Sequence, residues 1–242
     1  MKKEIKPKAR REIHSVIVNF FKTLAKSKNN KVFDAPAGHG ALAIELKKIG
    51  FNVTCGEIEP EIFRANNIRC IYADLNTRIA CKNNQFDFVT CVDGLEHMTN
   101  PYIAVQEFSR ILKKDGVAVF SIPNYSNIAK RMKYLFKGYL EKPKRIEHYF
   151  AAGKNLYNFH NSPLNITLLN FIFSINNFKI EQILIDKFKW KQFLFFSPFV
   201  LLLKLIALLS PQKYKKQYGY DLTLRKEVIL GGNTLIFILR KM

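Results

Sequence analysis

The chain predicts a single doubly wound α/β domain, and three observations lead to it. Residues 32–50 read as an apolar strand that breaks into a glycine-containing bend and opens a helix. Four successive apolar segments each close on a carboxylate. Strand-like and helix-like segments then alternate as far as residue 124, the pattern of a largely parallel sheet covered by helices. A chain of 242 residues with 48% hydrophobic content suffices for one such domain with additions and is short for two.

The elements follow in order. Ala9–Lys26 spaces Ile13, Val16, Ile17, Phe20, Phe21 and Leu24 along one helical face, predicting an amphipathic helix beside the sheet. Val32-Phe-Asp-Ala-Pro-Ala-Gly-His-Gly40 is the first strand and its bend. Asp34 stands at the strand's carboxyl end, while Gly38 and Gly40 let a ligand approach the backbone. The next helix, Ala41–Lys48, stops before Gly50, a residue suited to the C′ position. Phe51–Glu57 and Ile68–Asp74 are the second and third strands, and Phe86–Val92 is a fourth that runs into Asp93-Gly-Leu-Glu-His97. Asn100 and Pro101 supply an N-cap and a first-turn proline for a helix over Tyr102–Leu112. Asp115-Gly116 turns the chain into a fifth strand, Val117–Ile122, which ends at Pro123-Asn124. Further on, Ser162 and Pro163 are expected to start a helix over Leu164–Ile175. Phe178–Lys187 reads as a sixth strand and Thr234–Arg240 as a last, antiparallel one.

The glycine bend alone is ambiguous. Gly38-x-Gly40-x-x-Ala43, with Glu57 about 20 residues beyond, also fits the dinucleotide fingerprint of nicotinamide enzymes. The fourth-strand region decides between the two. The run Phe86-Asp-x-Val-x-Cys-x-x-x-Leu-Glu-His97-x-x-x-Pro101, together with Pro123-Asn124, resembles class I S-adenosylmethionine-dependent methyltransferases of the small-molecule type. The resemblance is close over Val32–Asn124 and holds only in outline beyond. It implies a Rossmann-like seven-stranded mixed sheet of order 3-2-1-4-5-7-6 with an antiparallel last strand, and S-adenosylmethionine as cofactor.

The resemblance also implies a cofactor set. Asp34, with Ala35, Gly38 and Gly40 of the bend, would fix the methionine portion, and Glu57, beside Ile58, would accept from both ribose hydroxyls. Asp74, beside Leu75, would accept from the adenine amino group, and Asp93 would approach the methionine ammonium. Carboxylates suit a ligand bearing a sulfonium and an ammonium, whereas a pyrophosphate would be repelled. Pro36 departs from the family pattern, which places its first glycine two residues past the acid.

The chemistry so implied is an in-line displacement at the sulfonium methyl, accelerated mainly by orientation. An oxygen acceptor would want a base, and the candidates are His97, His148 and His160, with His97 ranked first for its place after the fourth strand. No Asn/Asp-Pro-Pro-aromatic run and no Pro-Cys nucleophile is present, so nucleic-acid bases are not the expected acceptors. An O-directed enzyme acting on a small or lipid-linked molecule, a cell-envelope sugar or a quinone-like precursor, is the leading expectation. A nicotinamide-dependent reductase is disfavoured because no Tyr-x-x-x-Lys pair occurs. A non-catalytic module of the same fold, docking on an anionic membrane or RNA, stays open.

Cys55, Cys70, Cys81 and Cys91 form no C-x-x-C pair, so neither zinc nor disulfides are expected, and no metal is predicted. The basic amino terminus lacks an apolar core and a small-residue cleavage site, so a secretory signal is not expected and a cytoplasmic location is. Formal net charge is +20. Residues 1–122 carry 19 basic against 13 acidic side chains, and residues 123–242 carry 20 against 6. That imbalance attracts polyanions. The chain therefore divides into a cofactor-binding core (28–124), substrate-side helices (125–178) and an apolar, basic insertion (188–230) before the last strand. The insertion holds Ser197-Pro-Phe-Val-Leu-Leu-Leu-Lys-Leu-Ile-Ala-Leu-Leu-Ser-Pro211, predicting a helix over Pro198–Leu209 only ~18 Å long, too short to cross a bilayer. It would cover the substrate pocket, meet a partner, or lie on an anionic membrane through residues 188–226, placing the protein at the membrane's inner face.

Overall fold

A computed structural model describes residues 10–24, 30–141, 144–217 and 219–242. Seven strands form one sheet in the order β3-β2-β1-β4-β5-β7-β6. They are β1 (Lys31–Asp34), β2 (Asn52–Glu57), β3 (Arg69–Tyr72), β4 (Phe86–Val92), β5 (Leu112–Pro123), β6 (Phe178–Ile185) and β7 (Thr234–Lys241). All pairs from β3 through β5 are parallel, and β7 runs antiparallel to both β5 and β6. The expected order and the reversed last strand are both present.

Alternation along the strands divides the core between two faces. Phe33, Phe120 and Phe237 point to one face, beneath α3 (Pro101–Ile111) and, later in the chain, the helix Ile166–Ile175. Val32, Val119 and Ile236 point to the other, where α1 (Arg11–Leu24) and α2 (Ala41–Lys48) close the layer. α1 buries Ile13, Ile17, Val18 and Phe21, with Phe21 edge-on to both Phe51 and Phe88. Ala9, Ala25 and Lys26, at the ends of the predicted helix, lie outside the described residues. The N-cap of α3 is as expected: the Asn100 side chain accepts from Ile103 N and Pro101 occupies the first turn.

Three boundaries differ from expectation for identifiable reasons. β5 begins at Leu112, directly after α3, because Leu112 pairs with Phe86 before the strand bulges; pairing resumes at Phe88 with Val117, and Asp115 takes φ 60° inside the bulge. Past β5 come α4 (Ile128–Lys137), α5 (Ile146–Ala151) and α6 (Ile166–Ile175). α6 is capped by Asn165, whose side chain accepts from Leu168 N at 2.9 Å. Ser162 is no cap, since its hydroxyl donates to Met98 O, tying this segment to the loop after β4.

The third difference is α7 (Trp190–Leu209), which is twenty residues long and runs through Pro198. Proline removes the N–H that would have bonded Leu194 O, and the Ser197 hydroxyl donates to that carbonyl instead, at 3.0 Å. At 1.5 Å per residue the helix is ~30 Å long, so the short-helix expectation fails. It is no core helix either. Val200 is its one buried residue, seated against Ile128 and Ile229, while Leu194, Phe195, Leu201, Leu208 and Leu209 are each about 70% exposed or more. Three short helices, α8 (Gln212–Gln217), α9 (Tyr220–Thr223) and α10 (Lys226–Ile229), bring the chain back to β7.

Candidate active site

Parallel strands that end together put their carboxyl ends, and the loops after them, along one edge of the sheet. In an open α/β sheet the ligand crevice forms there, where the strand order reverses; here that is between β1 and β4. A cavity of about 680 Å³ opens at this edge. Its wall includes Asp34, Gly38, Glu57, Ile58, Leu75, Asp93 and His97 of the expected residues. Ala35, Gly40 and Asp74 sit one layer back, and their neighbours Pro36, Ala41 and Ala73 face the cavity in their place.

The bend after β1 is held from both sides. Ala35 N donates to Thr90 O of β4 and Ala37 N to Gly56 O of β2. Ala35–Pro36 is a cis peptide. Gly38 N donates to Glu57 Oε2 at 2.6 Å, and Ile58 N to Glu57 Oε1 at 3.1 Å. The second-strand acid therefore organises the loop before any ligand arrives, and the remaining lone pairs of its 5%-exposed carboxylate are available to the cavity. Gly40 is required at its position twice over. It sits at φ 88°, and a Cβ there would stand 2.6 Å from both Ala65 Cβ and the Phe63 ring.

Asp34 is buried at the floor, where Thr90 Oγ1 donates to its Oδ1 at 2.6 Å. Burial raises its pKa to about 7, partly offset by the threonine hydrogen bond and reinforced by the nearby Glu57. Asp93 takes φ 47° and accepts from the Ser121 hydroxyl at 2.6 Å. Burial raises its pKa too, against the lowering effects of that hydrogen bond and of His160. Asp74 is engaged elsewhere, accepting from Asn76 N and from the Tyr157 hydroxyl at 3.1 Å, so Tyr157 is brought to the rim.

The loop after β4 forms a single 3-10 turn, Leu95–His97. It is clamped to residues 157–162: Asn161 N and Ser162 N both donate to Glu96 O, and the Asn161 side-chain amide donates to His97 O. His97 Nδ1 donates to Phe159 O at 3.1 Å, because a carbonyl can only accept; the neutral ring therefore carries its lone pair on Nε2. Burial and the adjacent His160 lower the His97 pKa. The two rings meet edge-on with centroids 4.8 Å apart. His148, on exposed α5, does not reach the cavity wall. Glu96, Lys130 and Arg10 also line the cavity and were not among the expected site residues. Only the Leu-Glu-His run carried a signal, and there Glu96 was read as part of a pattern.

The sheet order, the reversed last strand and this carboxylate-lined crevice define a class I methyltransferase fold. A family profile described as "Methyltransferase domain" matches residues 6–182, and the chain belongs to that family. Among solved structures, a SAM-dependent methyltransferase from Archaeoglobus fulgidus superposes with a TM-score of 0.59 at 13% identity, over 96% of this chain and 95% of that one. A putative methyltransferase from Bacillus halodurans C-125 gives 0.57 at 15% identity, over 93% and 98%. The ubiquinone biosynthesis O-methyltransferase of Actinobacillus pleuropneumoniae serotype 7 is 30% identical over 107 residues, covering 39% of this chain and 46% of that protein. The protein of that name from Xanthomonas campestris pv. campestris (strain B100) is 23% identical over 130 residues, covering 49% and 54%. The chain thus spans about half the length of the curated relatives it matches.

S-adenosylmethionine is the cofactor this family implies, and the residues present fit it. Asp34, Glu57, Asp93 and Glu96 face one cavity, an arrangement that attracts the sulfonium and ammonium of such a ligand and repels a diphosphate. Gly38 faces the cavity, and its lack of a Cβ lets a ligand approach the backbone there.

Proposed function

We propose that the protein transfers the methyl group of S-adenosylmethionine to an oxygen of a small or lipid-linked acceptor, of the quinone-precursor or cell-envelope-sugar kind. The observation that carries this reading is the convergence of the strand-end carboxylates on one cavity of about 680 Å³. The O-methyltransferase names of the relatives support the oxygen direction. Bound cofactor supplies an electrophilic methyl on a positively charged sulfur. The chain's own residues do the rest. Glu57 presents carboxylate oxygens to the ribose while bracing the loop through Gly38 N. Asp34 and Asp93 offer negative charge to the ammonium. The wall formed by Met98, Tyr157 and His160 shapes the acceptor side. With its lone pair on Nε2, His97 can take the acceptor's proton. Calorimetry tests this directly: S-adenosylhomocysteine should bind at micromolar concentration and NADPH should not, followed by radiolabelled methyl transfer to a catechol-type acceptor. Silence toward both S-adenosyl ligands would refute it and favour the non-catalytic module.

The exposed helix α7 supports a peripheral site on the inner face of an anionic membrane. Only 6% of its apolar window is buried. Lys187, Lys189 and Lys191 flank its start beside Trp190, and Lys213, Lys215 and Lys216 follow its end. Although ~30 Å suffices to cross a bilayer, β6 before it and β7 after it are paired in one sheet, so both ends of α7 stay on the same side. An interfacial position satisfies that constraint, with apolar side chains at the acyl boundary and lysines at the headgroups. Co-sedimentation with phosphatidylglycerol vesicles and not with phosphatidylcholine vesicles is the expected result; equal recovery in the supernatant with both would refute it.

A further inference from the structure

Glu96 is 1% exposed, lines the cavity, and its Oε2 has no hydrogen-bond partner. A buried carboxylate oxygen in that state is costly unless something positive meets it. Ligand atoms of Glu96, His97 and His160 lie within 4.8 Å of one another. Both histidines are oriented by their Nδ1 atoms, His97 through Phe159 O and His160 through the Tyr125 hydroxyl at 3.0 Å. The carbonyl leaves His97 an Nε2 to offer, and His160 offers its own when its Nδ1 donates to the hydroxyl, the arrangement in which imidazole ligands are held by a second layer of hydrogen bonds. The backbone is fixed as well, because Glu96 O receives both Asn161 N and Ser162 N, the residues next to His160.

From this geometry we infer that Glu96, His97 and His160 form a site for a divalent first-row transition cation whose open position receives the acceptor's hydroxyl oxygen. Two imidazoles and one carboxylate suit such ions better than Mg²⁺ or Ca²⁺, which prefer all-oxygen shells. Three protein ligands leave a fourth position for substrate. Ligand atoms about 2.1 Å from a tetrahedral ion stand ~3.4 Å apart, so the widest of the present separations, which reach no more than 4.8 Å, would contract on loading. Asp93 lines the same cavity, and its negative charge likewise favours a cation here.

The inference rests on the methyl-transfer reading and changes one part of it. Coordination lowers the acceptor hydroxyl's pKa and its proton leaves to solvent. The oxygen lone pair forms the new bond to the methyl carbon, and the carbon–sulfur bond breaks with its electrons going to sulfur, giving a methyl ether and a neutral thioether. The lone pair of His97 is then a ligand and no longer the base. Cysteine spacing spoke against a metal because it reports thiolate sites, and none of these ligands is a cysteine.

The test uses the full chain titrated with Co²⁺, read by ligand-field absorption and equilibrium dialysis, with Zn²⁺ as competitor. One equivalent of Co²⁺ with a visible band is expected. Affinity should fall at least tenfold in Glu96→Gln, which keeps the side-chain shape, and in His160→Asn, on a partly exposed loop; circular dichroism verifies that each is folded. No stoichiometric uptake, or uptake unchanged in both folded variants, overturns the site. Calorimetry with S-adenosylhomocysteine on the same samples separates the two readings. Binding of that ligand without Co²⁺ uptake sinks the metal site alone, and Co²⁺ uptake without that binding sinks the methyl-transfer reading and keeps the metal site.

Discussion

Replacing Asp34 by Asn should stabilise the protein at alkaline pH while impairing its cofactor site. The carboxyl is 2% exposed and its pKa is pushed up from the ordinary 3.8 to about 7, with burial the main cause. A carboxyl whose folded-state pKa exceeds its unfolded value holds its proton more tightly when folded. Its contribution to stability is therefore greatest below about pH 4, declines as pH rises to about 7, and is level above. Three pKa units at 1.36 kcal/mol each put the loss near ~4 kcal/mol, an upper bound. Asn keeps an oxygen to accept from Thr90 Oγ1, now at 2.6 Å from Asp34 Oδ1, and cannot ionise. Urea unfolding of both proteins at pH 4, 6 and 8 should show a difference near zero at pH 4 that grows to several kcal/mol in favour of Asp34→Asn at pH 8. Binding of S-adenosylhomocysteine at pH 8 should weaken about tenfold or more, because the ammonium loses a negative partner. Parallel stability profiles for the two proteins between pH 4 and 8 would refute the assignment of a buried, proton-retaining acid.

Glu57→Gln should weaken S-adenosylhomocysteine binding by ~1.5–3 kcal/mol, since the amide can accept from only one of Gly38 N and Ile58 N and turns an N–H₂ toward the other; unchanged calorimetric affinity would remove the ribose role. Gly40→Ala should cost ~2 kcal/mol or more in urea unfolding, from its φ of 88° and the 2.6 Å approach to Ala65 and Phe63, and wild-type stability would refute the close packing. Changing Leu201, Leu205 and Leu208 together to Gln should abolish co-sedimentation with anionic vesicles while moving stability by no more than ~0.5 kcal/mol per site, as each is about half exposed or more; retained sedimentation would refute α7 as the contact.

The sheet was readable because its signals are local. Asp34, Glu57 and Asp93 fall where strand ends meet loops, and the Asn100-Pro101 start of α3 is written in two adjacent residues. What escaped depended on distant partners. Asn165 rather than Ser162 caps α6 because Ser162 is taken by Met98 O, 64 positions away in sequence. Helix α7 passes Pro198 because a neighbouring hydroxyl satisfies the orphaned carbonyl, a compensation that proline's helix-breaking rule does not anticipate. His160 joins His97 through the clamp that includes Glu96 O and the 161–162 amides, and no spacing rule links residues so far apart. Tyr157 reaches Asp74 across 83 positions for the same kind of reason.

Phe188 bridges Gly231, and Lys189 N donates to Leu230 O at 3.1 Å. The excursion that carries α7 therefore leaves and rejoins the sheet through one narrow neck. Beyond that neck, α7 is seated on α4 through Val200 and Ile128. Under the proposed membrane reading, exchanging its exposed leucines, Leu201 and Leu208 among them, for polar residues would alter lipid attachment and leave the strand pairing as it is.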